Sequence, residues 1–171
     1  MVKGIPPAPD APPATKAELI EHPYYRLSLI QPAGFSRRKV DPSSDKGIFV
    51  HLRARDDEKN ICEIRVRVFL AKTVKQDTDE RAQARVDSFA AKYKDAKVPK
   101  RPKRMRFRGA EEAYRLDLVG RGKGFILAEE WRMIRHTNGR LYEFQLSYYG
   151  AAQRVWRKQL REFWKQLKIR P

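Results

Sequence analysis

Apolar and polar residues alternate along several short segments of the chain, and a period of two is typical of β-strands. The clearest segment covers residues 61–70, where Cys62, Ile64 and Val66 share one side and polar residues occupy the other. Alternation also covers residues 24–30, 48–53, 112–119, 125–135 and 140–149. The pattern therefore predicts a sheet of about six strands.

Two segments instead place their apolar residues at helical spacing. Residues 79–94 form one such segment, and the other runs from about residue 151 to residue 169. The stripe of the second segment includes Trp156, Phe163 and Trp164, which are large enough to bury a wide area. The sequence therefore predicts two helices, of which the last docks firmly on the sheet.

The last two strands are predicted to form a hairpin. Asn138-Gly139 lies between them, and this pair is preferred in a two-residue type I′ turn. Such a turn sets a register in which Met133 lies opposite Phe144. Both strands then agree on which face is buried.

The order of the elements contains no repeated β-α-β unit, which predicts the α+β class. We expect an antiparallel sheet packed against helices as an α/β/α sandwich. Residues 1–23 hold six prolines, which fix φ and remove backbone donors. This segment is therefore predicted to be a Pro-rich disordered leader, and residues 24–171 a single domain. The leader could also be a tether that remains after removal of an export signal.

The chain is strongly basic, with 38 Lys and Arg against 21 Asp and Glu, a formal charge of +17. Residues 94–108, which we call the basic segment, carry eight cations and one carboxylate, and residues 150–171 are also rich in cations. Pro99 and Pro102 predict that residues 97–108 of this segment are an exposed, mobile connection without regular structure. The residues predicted to bind a polyanion are Lys97, Lys100, Arg101, Lys103, Arg104, Arg106 and Arg108.

Concentrated like charge repels itself and adds nothing to folding, so it points to an acidic partner. We expect an acidic protein or assembly, with a nucleic acid or the ribosome as the alternative. A generic solubilising surface remains open. No apolar run reaches the length of a transmembrane helix, and no signal peptide is visible. These observations favour a cytoplasmic protein, with an exported mature form as the alternative.

Few residues suggest chemistry. With a single Cys and three scattered His, we expect no metal, no cofactor and no catalytic residue. Glu129 is predicted to lie opposite Tyr148. It is a general acid or part of a polar pocket, or else it forms a salt bridge with one of the many arginines or lies near the rim of the sheet. The stretch 120–124, Gly-Arg-Gly-Lys-Gly, either binds a phosphate through backbone N–H groups or links two strands.

Several motifs resemble those of the PsbP family of photosystem II extrinsic proteins and its Ran-binding and bacterial relatives. They are Tyr25-x-Leu27 leading to Pro32-Ala33-Gly34-Phe35, the helix around Phe89, the hairpin with Asn138-Gly139-Arg140-Leu141-Tyr142, and the final amphipathic helix. The resemblance covers residues 24–169. It implies an antiparallel sheet between helices and a non-enzymatic domain that docks onto larger assemblies.

Overall fold

The computed structural model describes residues 12–40, 48–122 and 124–171. Its helices are α1 (Thr78–Lys92), α2 (Ala152–Val155) and α3 (Arg157–Gln166). Its strands are β1 (Glu18–His22), β2 (Leu27–Gln31), β3 (Ser36–Arg37), β4 (Ile48–Arg55), β5 (Ile61–Leu70), β6 (Lys94–Lys97), β7 (Lys103–Arg104), β8 (Ala110–Gly122), β9 (Phe125–His136), β10 (Arg140–Tyr149) and β11 (Lys168–Ile169). None of the helices in these ranges is long and apolar enough to cross a membrane.

The strands form two antiparallel sheets. The larger sheet has eight strands in the order β3-β4-β5-β10-β9-β8-β6, with β7 also paired to β8. The smaller sheet has three strands in the order β1-β2-β11. The α+β class and the antiparallel pairing are confirmed. The predicted single sheet of about six strands is corrected to sheets of eight and three strands, and the α/β/α sandwich stays a prediction.

The large sheet carries one hydrophobic cluster on each face. Helix α1 covers β8 and β9 on one face, where Val86 and Phe89 pack against Leu116, Trp131 and Met133. On the other face, helix α3 and strand β2 cover apolar residues of β4, β5 and β10, which include Leu52, Ile64, Val66, Phe144 and Leu146. Each half of the sheet is therefore covered mainly from one side.

The register of the β9–β10 hairpin differs from the predicted one. Met133 lies opposite Glu143 rather than Phe144. The loop has three residues, Thr137–Gly139, and Gly139 adopts φ +79°, which is typical of a three-residue turn with a bulge. A shift of one residue moves every side chain of a strand to the opposite face. The prediction that both strands bury the same large residues on one face is therefore wrong.

The last helix is shorter than predicted. It is interrupted at Trp156, between α2 and α3, and ends at Gln166, before β11. The Trp156 ring packs edge-on against Phe35, at 5.4 Å between centroids. A Cβ on Gly34, which adopts φ +84°, would lie 2.9 Å from the Trp156 ring. Part of the Pro32–Phe35 motif thus provides the room in which this tryptophan packs.

The hydrogen-bonded chain begins earlier than the predicted boundary at residue 24. Strand β1, Glu18–His22, pairs with β2, and the Ala14 amide donates to the Phe35 carbonyl. Strand pairing here satisfies backbone groups that the proline-rich composition suggested would be solvated. The division of the chain at residue 24 stays a prediction. Residues 1–11 lie outside the described ranges.

Candidate functional site

The basic segment follows the outer edge of the large sheet. Strand β6 pairs with the distal part of β8, where Lys97 lies opposite Val119, and β7 pairs nearer its start, where Lys103 lies opposite Arg115. Pro99 and Pro102 lie between these two short strands. The prediction that the prolines exclude regular structure is wrong, because proline is tolerated between edge strands and the flanking residues still pair.

All seven predicted binding residues of the basic segment are exposed: Lys97, Lys100, Arg101, Lys103, Arg104, Arg106 and Arg108. None of them forms an ion pair with another described residue. Met105 and Phe107 alternate with these cations and pack against the hydrophobic cluster of the domain. The segment is therefore anchored by its apolar residues while its charges face solvent.

Acidic residues of α1 lie beside one part of the basic segment. A cleft between α1 and the segment is lined by Asp79, Glu80 and Asp87 on the helix and by Arg101 on the segment. These carboxylates reduce the positive potential near Arg101. A second cleft brings Arg104 and Arg106 together with Glu111, so a carboxylate lies beside this part of the segment as well.

The histidines and the cysteine belong to no cluster of three or more side chains that could hold a metal ion in the described ranges. Cys62 is buried in the core, and burial, together with the charge of Glu63, raises the pKa of its thiol far above the usual range. His136 is buried beside Gly109, and desolvation lowers its pKa despite a hydrogen bond with the Arg108 backbone. Both side chains act as packing residues here.

Glu129 lies on the α1 side of the sheet and has two hydrogen-bond donors. Trp131 Nε1 donates to its Oε2 at 2.8 Å, and Gln145 Nε2 donates to its Oε1 at 3.3 Å. Its cross-strand neighbour is Ser147 and not Tyr148, which corrects the predicted pairing. The carboxylate orients the tryptophan indole, and its two described donors are an indole and an amide rather than the predicted arginine.

The glycine-rich stretch links β8 to β9. A Cβ on Gly120 would lie 2.7 Å from the Tyr93 Cβ, so glycine lets α1 approach the sheet. Gly124 adopts φ +79°, as the turn requires. These two positions support the strand-linking reading, and Lys123 lies outside the described residues.

A charged cluster centred on Glu63 was not predicted from the sequence. This carboxylate is buried and accepts a hydrogen bond from Arg65. Its Oε1 lies 3.7 Å from Arg53 Nε, and its Oε2 lies 3.8 Å from His51 Nε2. The alternation in β4 and β5 places all four residues on one face. This pattern was the signal in the sequence from which the cluster could have been predicted. Burial of Glu63 among three potential cations fixes their side chains relative to one another.

The protonation of Glu63 gives a testable pH dependence. Burial alone would raise its pKa, but the His51 imidazole and the charges of Arg65 and Arg53 hold the pKa below its usual value. A lowered folded-state pKa stabilises the fold above the unfolded-state pKa, and this contribution disappears as the pH falls through the folded-state value.

Glu63→Gln is therefore expected to lower the free energy of unfolding by about 1.5–3 kcal/mol near pH 7. The difference from wild type should narrow below about pH 4, where the native carboxyl also becomes protonated. Urea unfolding at several pH values measures both effects. Glu58→Gln, in the exposed turn between β4 and β5, is the control and should change little. An equal loss at pH 7 and pH 3 would contradict the assignment.

The fold of this chain is similar to that of several solved structures. No family model matches the sequence, and a search of curated proteins finds no match. Among solved structures, cyanobacterial PsbP (CyanoP) from Synechocystis is similar with a TM-score of 0.64 and 11% identity, over 91% of this chain and 94% of that chain. LpqN of Mycobacterium tuberculosis, involved in cell envelope biogenesis, gives 0.57 and 9%, over 91% of each chain.

The Ran-binding protein Mog1p of Saccharomyces cerevisiae is also similar, with a TM-score of 0.50 and 13% identity, over 91% of this chain and 96% of that chain. The chain therefore has the PsbP-like fold, and the resemblance seen in the sequence is confirmed for the fold. At sequence identities this low, the similarity is limited to the arrangement of the backbone. The residues that act in those proteins do not transfer to this chain.

Proposed function

We propose that this protein is a non-enzymatic binding domain that docks through the basic segment onto an acidic macromolecular partner. One observation carries the proposal: seven cations lie along one sheet edge, all exposed and none paired with a described acidic residue. Like charges at such spacing repel one another unless a polyanion neutralises them. The partner we favour is an acidic protein or assembly.

The structural neighbours support a binding role. Mog1p is a Ran-binding protein, and LpqN is involved in cell envelope biogenesis. The same backbone arrangement therefore serves proteins of different settings, and the surface decides what each one contacts. In this chain, the surface that stands out by charge is the basic segment.

A nucleic-acid partner is the second candidate. The observation that favours it is the extended course of the basic segment, because an extended chain with alternating cations can follow a phosphate backbone.

A cytoplasmic location stays a prediction, and an exported form remains the alternative.

The two candidates are distinguished by which probe binds more tightly and by how the binding of the nucleic-acid probe depends on salt. Removal of four charges by changing Lys100, Arg101, Lys103 and Arg104 to Gln is expected to weaken binding to an acidic polyglutamate peptide, used as the protein-like probe. If the partner is nucleic acid, an oligothymidylate probe binds more tightly than the peptide, and the logarithm of its binding constant falls with log salt by about 0.7 per contacted phosphate. Fluorescence anisotropy across a salt series measures both probes.

A matched control separates position from charge. Arg157, Lys158, Arg161 and Lys165 are exposed on α3, and changing them to Gln removes the same net charge. Both variants should keep nearly the wild-type thermal midpoint, since exposed charges contribute little to stability. The proposal fails if the two variants weaken binding equally, or if the basic-segment variant binds both probes as before.

A further inference from the structure

A second positive surface lies at the opposite end of the large sheet. Strands β4 and β5 each carry an Arg-x-Arg sequence, and a period of two places both arginines of each pair on the same face. Arg38 joins them, because its amide donates to the His51 carbonyl beside β4. We define the arginine face as Arg38, Arg53, Arg55, Arg65 and Arg67.

Most of the arginine face belongs to the half of the sheet that α1 does not cover, and Arg67 lies at the border with the covered half, beside Trp131. Helix α1 packs on β8 and β9, whereas the reverse side of β4 and β5 is the closed core with Leu52, Ile64 and Val66. The side chain of Arg55 is exposed, and those of the other four arginines are partly exposed. In the described ranges, this half of the sheet therefore presents its polar side outward.

Neighbouring groups fix the direction of several guanidinium groups. Arg65 donates to Glu63, Arg53 Nε lies 3.7 Å from the same carboxylate, and Arg67 Nη1 donates to Gln145 Oε1 at 3.1 Å. Arg67 also lies over the Trp131 ring, 5.7 Å from its centroid. A guanidinium held in this way loses little side-chain entropy when it binds a ligand.

Among the described residues, the carboxylates beside this face are already engaged with arginines. Arg53 and Arg65 both lie against Glu63, so they share one carboxylate between them. Glu143, opposite Arg67, is paired with Arg81 and Arg85 of α1. A guanidinium carries several N–H donors in its planar fork, so two groups that share one carboxylate retain donors for a ligand.

A cavity at the edge of the face offers a seat for an anion. It is lined by Pro13, Gly34, Ser36, Arg38, Arg53 and Arg55, without a carboxylate among these residues. All cations here are arginines, whose forks match phosphate oxygens bidentately. Phosphate carries up to two charges on one centre, so adjacent phosphates match the density of these guanidiniums better than carboxylates do.

We propose that the arginine face is a binding site for clustered phosphate groups, distinct from the basic segment. Five strand-to-strand steps separate β4 from β6 in the large sheet, about 24 Å at ~4.8 Å a step. One small ligand cannot bridge both surfaces. The two sites are therefore independent, and this proposal holds whether or not the basic segment docks onto a protein.

Titration with tripolyphosphate, followed by backbone amide NMR signals, tests the proposal. The expected result is a saturable shift on β3, β4 and β5, with weaker binding of orthophosphate and of citrate at these strands. Arg53→Gln/Arg55→Gln should weaken tripolyphosphate binding by about tenfold or more. Arg53→Lys/Arg55→Lys keeps the charge but removes the planar fork of donors. Its affinity for tripolyphosphate should therefore lie between those of wild type and the glutamine pair.

The basic-segment variant with Gln at positions 100, 101, 103 and 104 is the control and should retain the shifts on β4 and β5. The proposal is overturned if tripolyphosphate does not shift these signals, if it binds no better than citrate, or if the lysine pair binds as tightly as wild type. It is also overturned if the basic-segment variant loses the shifts on β4 and β5. A native amide spectrum of each variant excludes unfolding as the cause of lost binding.

Discussion

Replacing Phe163 by alanine is expected to lower the free energy of unfolding by about 3–5 kcal/mol, because both the transfer of the ring and the cavity left behind cost stability. Phe163 is fully buried on α3 and lies 5.0 Å from Trp164 between ring centroids. Trp164 in turn packs edge-on against Phe144 of the large sheet. The Phe163 ring therefore belongs to the contact between α3 and the centre of the domain. The void that its removal leaves cannot close without moving α3.

Val155→Ala is the control for this measurement. Val155 lies on the neighbouring short helix but is 40% exposed, so its loss should cost well under about 1 kcal/mol. Urea unfolding of both variants gives the difference, and the slope of the transition should stay similar if the fold is retained. A loss below about 1 kcal/mol for Phe163→Ala would show that α3 does not depend on this contact.

Much of the fold follows from local patterns in the sequence. The alternation over residues 61–70 has the same bounds as β5, and the helical spacing over residues 79–94 identifies α1 to within about two residues. These signals depend on neighbours along the chain and need no tertiary contact. The motif at Asn138 has a tertiary role as well, because its side chain donates to Tyr142 Oη and to the Arg170 carbonyl.

The register of β9 against β10 shows where pattern reasoning fails. Asn-Gly fits both a two-residue turn and the last two positions of a three-residue loop, and these differ by one residue in register. A sheet covered on one face would expose the error through its hydrophobic pattern. Here both faces of β9 bury large residues, Trp131 and Met133 on one and Ile134 on the other, so the pattern does not select a register.

Some features of the candidate sites could likewise be predicted from the sequence, and others could not. The exposure of the basic segment followed from composition, because lysine and arginine are costly to bury. Its two short strands did not, because they form only where β8 offers an unpaired edge. The arginine face was visible as alternation in β5. Its openness was not, because only the position of α1 shows which half of the sheet stays uncovered.

The second large effect concerns Glu143, whose side chain is fully buried between the large sheet and α1. Its Oε1 accepts a hydrogen bond from Arg81, and its Oε2 lies 3.5 Å from Arg85 Nη2. Arg81 also lies over the Phe69 ring and Arg85 over the Trp131 ring, each 4.9 Å from the centroid. The carboxylate therefore fixes α1 against the sheet through two arginines.

Glu143→Leu is expected to lower the free energy of unfolding by about 3–5 kcal/mol, because it leaves a partly buried guanidinium without its carboxylate. The double variant Glu143→Leu/Arg81→Met should recover a large part of that loss, since an apolar pair of similar volume avoids the desolvation of both ions. Arg85 can still extend its charge to solvent in either background, because its side chain is 37% exposed. Urea unfolding of the two single variants and the double variant completes a double-mutant cycle. If the double variant is no more stable than Glu143→Leu, the loss comes from packing around the substituted side chain rather than from an unpaired charge.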